Sequence, residues 1–264
     1  MRAVAEPLHL PGAGVVVTGA GSGIGAELAR RLAAAGARVV VNDLNASAAR
    51  RVAEQVGGVA LPGNAADAVG ELVGAAREHL GDIDLFCANA GVAPPGGVEG
   101  RYKASPEGWA QALEVNVLAH VRAAEALLPA WLERGRGHLL VTASAAGLLT
   151  MLGSAPYAVS KHAAVAFAEW LRATYEHRGI VVQALCPQGV RTPMLRRTGR
   201  LGQVLLAPDA VDVSVVGDAV LAGLATGQFL VLPHPEVADY VRGKAEDPDG
   251  WLSGMNRLQQ RLEG

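Results

Sequence analysis

Tyr157 and Lys161 stand four residues apart in Y-A-V-S-K, and Ser144 lies thirteen positions before Tyr157. Side chains at i and i+4 of a helix share a face, so a phenol and an ammonium group would sit together. A free phenol has a pKa of about 10, and lowering it by about 3 units would take roughly 4 kcal/mol of preferential phenolate stabilisation. A buried lysine beside it, joined by a cationic cofactor ring, could supply that. The chemistry such a pair suits is movement of a proton next to a bound nucleotide.

A nucleotide site is suggested near the start of the chain. T-G-A-G-S-G-I-G, Thr18 to Gly25, follows a short apolar run and precedes a helical pattern. Gly19, Gly23 and Gly25 would allow a tight turn and close approach to a pyrophosphate, with Ser22, Ile24 and the first helical amides facing the anion. Asp43 ends the next strand-like run eighteen positions beyond Gly25, near the spacing at which an acid holds the adenosine ribose hydroxyls. A carboxylate there would repel a 2′-phosphate, so NAD (as NAD or NADH) is the expected cofactor.

The elements that must position these residues alternate regularly. Strands are expected at 15–18, 38–43, 59–61, 83–88, 138–143, 180–186 and 229–232, separated by helices at 24–35, 46–56, 67–80, about 107–134 and about 156–178. The fourth helix is expected to bend at Pro129, and Pro156 to open the fifth. Uninterrupted valine runs suit strands covered on both faces. The fold class is therefore α/β, a doubly wound parallel sheet of about seven strands with helices on both faces. Ligands of such sheets bind beyond the C-terminal strand ends, where Asp43, Asn64, Asn89 to Gly91, Ser144, Tyr157 and Pro187 to Thr192 would converge.

The whole chain fits one domain over residues 1–264. It is 50 % hydrophobic and 18 % charged with a formal net charge of −2, and its charges are interspersed. No nucleic acid or other polyanion is expected as a partner. No uncharged run is long enough to span a bilayer, and Met1 to Gly14 lacks a secretory core, so a cytoplasmic protein without membrane partners is expected. The two cysteines, Cys87 and Cys186, read as small buried hydrophobes, and no metal site is expected.

The chain resembles the short-chain dehydrogenase/reductase family to about Leu232, through the glycine turn, N-A-G at Asn89, Asn116 in E-V-N-V, Ser144, Y-A-V-S-K and C-P-Q-G-V-R-T-P-M. The resemblance implies a Rossmann-type single-domain oxidoreductase in which Asn116, Ser144, Tyr157 and Lys161 match the catalytic tetrad. It further implies cofactor contacts at Gly19, Ser22, Gly23, Ile24, Gly25, Asp43, Leu44, Asn64, Ala65, Asn89, Ala90, Gly91, Tyr157, Lys161, Pro187, Gly189, Val190 and Thr192. In this family Asn116 would bind a water through a locally opened helix backbone. A dimer or tetramer is also implied.

Two positions depart from the family pattern. Gly63-Asn64-Ala65 stands where an aspartate commonly accepts from the adenine amino group, and Asn64 could accept through its amide oxygen. Gln188 interrupts the usual proline-glycine pair beside the nicotinamide. The segment after Thr192, about 194–207, reads as a substrate lid mixing Leu195, Leu201, Val204, Leu205 and Leu206 with Arg196, Arg197 and Arg200. A small hydrophobic alcohol or ketone is the expected substrate, although the arginines of this segment could equally bind a carboxylate. The extension from about 234 to 264 places Trp251, Leu252, Met255, Leu258 and Leu262 at helical spacing, to cover the cleft or meet a neighbouring subunit. His162, beside Lys161, points to a different helix face and reads as structural. The competing reading is a nucleotide-binding regulatory or scaffold protein without turnover.

Overall fold

The computed structural model of the chain describes residues 7–94, 104–198 and 200–263. The proline- and glycine-rich loop expected after Gly91 falls largely outside the described residues, as do the side chains of Arg200 and Leu201 in the expected lid.

Seven parallel strands form one sheet in the order β3-β2-β1-β4-β5-β6-β7. They are β1 Gly14–Val17, β2 Arg38–Val41, β3 Val59–Ala60, β4 Leu85–Ala88, β5 Gly137–Thr142, β6 Ile180–Leu185 and β7 Leu230–Val231. The order reverses between β2-β1 and β4, the switch point at which such sheets open a crevice. Alternation across the pleat sends Val16, Phe86, Leu139 and Val182 to one face and Val15, Val17, Leu85, Cys87 and Leu140 to the other. Because both faces are apolar, both need a helical cover. Helices α1 (Gly23–Ala34), α2 (Ala46–Val56) and α9 (Val213–Thr226) cover one. On the other pack α3 (Val69–Leu80), α5 (Ala119–Arg134) and α6 (Ala155–Tyr175).

The long fourth helix is interrupted. It begins as α4 (Pro106–Leu113), capped by the Ser105 hydroxyl, widens into a π turn at Glu114–Leu118, and continues as α5 straight through Pro129. A change in helix type thus falls around Asn116, while Pro129 lies inside α5. Past β6, short helices α7 (Pro193–Arg197) and α8 (Arg200–Leu205) form the expected lid segment. After β7, α10 (Glu236–Glu246) and α11 (Pro248–Glu263) pack on the chain's own loop following Ser144. Trp251 Nε1 donates to Thr150 Oγ1 at 3.1 Å, Lys244 Nζ donates to Leu148 O at 2.9 Å, and Val237 is fully buried against Ala145 and Leu149. Trp251, Met255, Leu258 and Leu262 form the half-buried stripe of α11. Leu252, expected on that stripe, is 53 % exposed because it lies about 100° around the helix from Trp251.

Candidate active site

The glycine turn joins β1 to α1. Gly19 and Gly23 adopt φ of 61° and 56°, a region that side chains with a Cβ resist. Space is equally tight. A methyl at Gly19 would lie 2.8 Å from Ala90 Cα, and one at Gly25 would lie 2.5 Å from Asn89 Nδ2. Gly21, absent from the expected contacts, leaves no room for a methyl beside the Asp43 carboxyl, 2.8 Å away, and its N–H donates to Asp43 Oδ2 at 2.8 Å. The signal that could have found it is the alternate-residue glycine spacing opposite an acid. Ser22 precedes α1 in extended conformation and makes no side-chain cap, so the Gly23, Ile24 and Gly25 amides have no partner within the helix. Those amides and the helix dipole make a fit for a pyrophosphate. Beside them Asp43 accepts from Asn45 N at 2.8 Å, and Leu44 exposes 77 % of its surface as an apolar platform.

Thr18 ties this turn to the N-A-G loop after β4. Its hydroxyl accepts from the amides of Asn89 and Ala90, both at 3.0 Å, while Asn89 Nδ2 donates to Thr18 O at 2.9 Å and Gly19 O at 3.3 Å. One step further, a methyl at Gly91 would stand 3.2 Å from Asn116 Oδ1 and 3.4 Å from Lys161 Nζ. The loop therefore lies against two members of the expected tetrad, Asn116 and Lys161. Asn116 Oδ1 accepts from Val92 N at 2.8 Å, and its Nδ2 donates to Val92 O at 2.9 Å and Ser160 Oγ at 3.0 Å. The Asn116 side chain is a clamp between loop and helix. Any water held here would fall to the backbone that the π turn opens.

Ser144, two residues past β5, caps a short 3₁₀ turn, accepting from Ala146 N at 3.1 Å and donating to Pro187 O at 3.3 Å. Gly147 lets that turn approach α6, since a methyl there would meet Lys161 O at 2.5 Å. Tyr157 occupies the first turn of α6, and Lys161 Nζ lies 5.7 Å from its ring centroid. The ammonium donates to Thr142 O at 2.8 Å.

The expected lowering of the phenol called for a cationic cofactor ring as well as Lys161, and the chain alone supplies only the lysine. Burial pushes the Tyr157 phenol above its usual range, opposed by the hydrogen-bonding influence of Ser144. Burial also brings the Lys161 ammonium down to about 8. Lys161 faces the phenol's ring and a carbonyl, so without a cofactor it does not lower the phenol. Desolvation dominates when no second cation is present. His120, on α5, is buried with Nε2 unpartnered among the described residues, and is pushed down to about 3 by burial and then by Lys161. His162 is exposed and paired with Ala158 O, away from the site. Cys87 and Cys186 are fully buried free thiols.

Residues 13–200 match the family model described as short chain dehydrogenase. The chain belongs to the short-chain dehydrogenase/reductase family. Among its relatives in this oxidoreductase family is 1-deoxy-11-beta-hydroxypentalenate dehydrogenase of Streptomyces arenae, 44 % identical over 258 residues that cover 91 % of this chain and 89 % of the relative. Cyclohexanol dehydrogenase of Acinetobacter sp. strain SE19 is 33 % identical over 200 residues, covering 73 % and 79 %. A short-chain dehydrogenase from Burkholderia phymatum, solved in complex with NAD, superposes with a TM-score of 0.83 at 26 % identity, covering 92 % of this chain and 96 % of that one.

Within this short-chain dehydrogenase the remaining expected contacts divide. Asn64 uses its amide oxygen locally, accepting from Ala66 N at 3.0 Å, while its Nδ2 donates to Asp67 Oδ2 at 2.6 Å. It shapes the turn that carries Ala65, which is itself buried. Val190 packs its side chain into the core and bridges to Val211 through Gly189 O and Arg191 N, so its own N–H and C=O take no part in the bridge. Gly189 has no space for a methyl because Leu206 O lies against it. Thr192 caps α7 through Leu195 N at 3.3 Å and also abuts the glycine turn, 3.2 Å from where a methyl on Gly23 would be. The segment expected to be a lid thus starts beside the glycine turn. Its Met194 and Val204 are exposed.

Proposed function

We propose that this protein is an NAD(H)-dependent oxidoreductase interconverting a hydrophobic secondary alcohol and its ketone, with Tyr157 as general base and acid. The observation that carries the proposal is Lys161 set against the Tyr157 ring and, with Asn116, beside Gly91, while Ser144 opens the turn after β5 and α1 presents its unpaired amides. The glycine turn would hold the pyrophosphate, Asp43 the adenosine ribose and Leu44 the adenine. When bound, the nicotinamide supplies hydride transfer at the carbon bearing the oxygen. Tyr157 would take the proton from the substrate hydroxyl, or return it, while Ser144 keeps the oxygen within reach. Lys161 would raise the local positive charge that makes the phenolate accessible.

Support for NAD over NADP comes from Asp43, fixed at the glycine turn with Ser22 rather than an arginine nearby. The exposed apolar lid residues, with relatives named for cyclohexanol and a hydroxypentalenate, support a cyclic hydrophobic alcohol. The scaffold alternative has no comparable support, because it gives the joint placement of three proton-handling groups no purpose. A cytoplasmic homodimer or homotetramer is the assembly we favour on the family resemblance. The test is a panel of cyclic and open-chain secondary alcohols with NAD, and separately NADP, followed by nicotinamide absorbance. NAD-linked turnover that Tyr157→Phe abolishes, with dinucleotide binding kept, is expected; turnover unchanged by that substitution would refute the assignment.

A further inference from the structure

His234, just past β7, is buried to 2 % exposure at the side of the Ser144 loop. Its Nδ1 accepts from the backbone N–H of Gln188 at 3.2 Å. An accepting Nδ1 is unprotonated, so the ring proton sits on Nε2, which finds no partner among the described residues. A buried donor left unmatched is costly, and a residue kept at that cost needs an explanation.

The explanation lies in which peptide the ring holds. Gln188 N–H belongs to the same planar unit as Pro187 C=O. That carbonyl accepts from Ala145 N at 2.8 Å and from Ser144 Oγ at 3.3 Å. His234 therefore grips one end of a rigid plate whose other end receives the serine hydroxyl. Rotation of the plate would move the carbonyl away from Ser144 and Ala145 together. The serine contact is long for O–H···O, so the hydroxyl is aimed by it yet easily released to a substrate oxygen.

We propose that His234 is a positioning residue for Ser144, acting through the Pro187–Gln188 peptide. This rests on the proposed role of Ser144 in turnover. Asparagine can set its amide oxygen near the position of Nδ1, whereas glutamine reaches one bond further and leucine offers no acceptor.

The first experiment needs no cofactor or substrate: backbone amide hydrogen exchange in wild type, His234→Leu, His234→Gln and His234→Asn. Exchange at Gln188 and Ala145 is expected to quicken at least tenfold in the leucine and glutamine variants and to return to within threefold of wild type in the asparagine variant. Unchanged exchange at Ala145 in His234→Leu would overturn the proposal, as would equal quickening in all three variants. The second experiment measures single-turnover NADH formation with the best alcohol of the panel, in a cycle with Ser144→Ala. His234→Gln should slow wild type tenfold or more at unchanged KM for NAD, and should slow Ser144→Ala by less than twofold. An equal slowing on both backgrounds would overturn this proposal alone, whereas a fully active Ser144→Ala would instead overturn the serine's catalytic role.

Discussion

Replacing Lys161 with methionine should make the protein more stable while destroying its chemistry. The lysine is 3 % exposed, and burial lowers its ammonium from 10.5 to about 8. At about 1.4 kcal/mol per unit, the folded state carries roughly 3 kcal/mol of cost for keeping this group charged. Methionine matches the unbranched stem and removes that cost, at the loss of a hydrogen bond to Thr142 O whose net contribution is about 1 kcal/mol. The remainder, about 2 kcal/mol, corresponds to a rise in melting temperature of roughly 4–8 °C for a chain of this size.

The pH dependence separates this cause from general repacking. Below the folded value of about 8, both folded and unfolded lysines are protonated, and wild type bears the whole cost. Between about 8 and 10.5 the unfolded state binds more protons than the native one, so wild-type stability from this group rises with pH. Groups common to both proteins cancel in the difference. Melting curves followed by circular dichroism at fixed protein concentration should give Lys161→Met its full advantage at about pH 7 and almost none at about pH 10. A variant less stable than wild type at neutral pH, or an advantage that does not shrink as pH rises, would refute the reasoning.

Gly25→Ala should cost about 1–3 kcal/mol and weaken dinucleotide binding at least tenfold, because the added methyl would run into Gly19 O and Asn89 Nδ2; chemical denaturation and fluorescence titration with NADH check both. Gly74→Ala, on the exposed side of α3 with open space around it, should raise stability by about 0.5–1 kcal/mol without affecting nucleotide binding, read by the same two measurements.

Much of this site could be read from residue order because its parts are local. Valine runs, glycine stops and the Y-A-V-S-K spacing are short-range patterns, and the parallel sheet brings their C-terminal ends to one edge. What stayed illegible depends on contacts between distant segments. Gly21 has meaning only opposite the Asp43 carboxyl, and Thr18 only against the Asn89 and Ala90 amides. The π turn at Asn116 followed from the family resemblance, since nothing in E-V-N-V departs from an ordinary helical pattern. Burial, which sequence spacing does not measure, raises the Tyr157 phenol in the chain alone, where the second cation that the expected lowering calls for is not supplied by the residues.

The clasp made by Lys244 and Trp251 on the loop after Ser144 orders events during biosynthesis. The glycine turn leaves the ribosome early, whereas α11 follows every other described element, so a nascent chain can shape its nucleotide cradle well before the serine's loop gains its outer brace. Because Lys244 and Trp251 reach back across 96 and 101 residues to that loop, its outer brace can close only after all seven strands have been made.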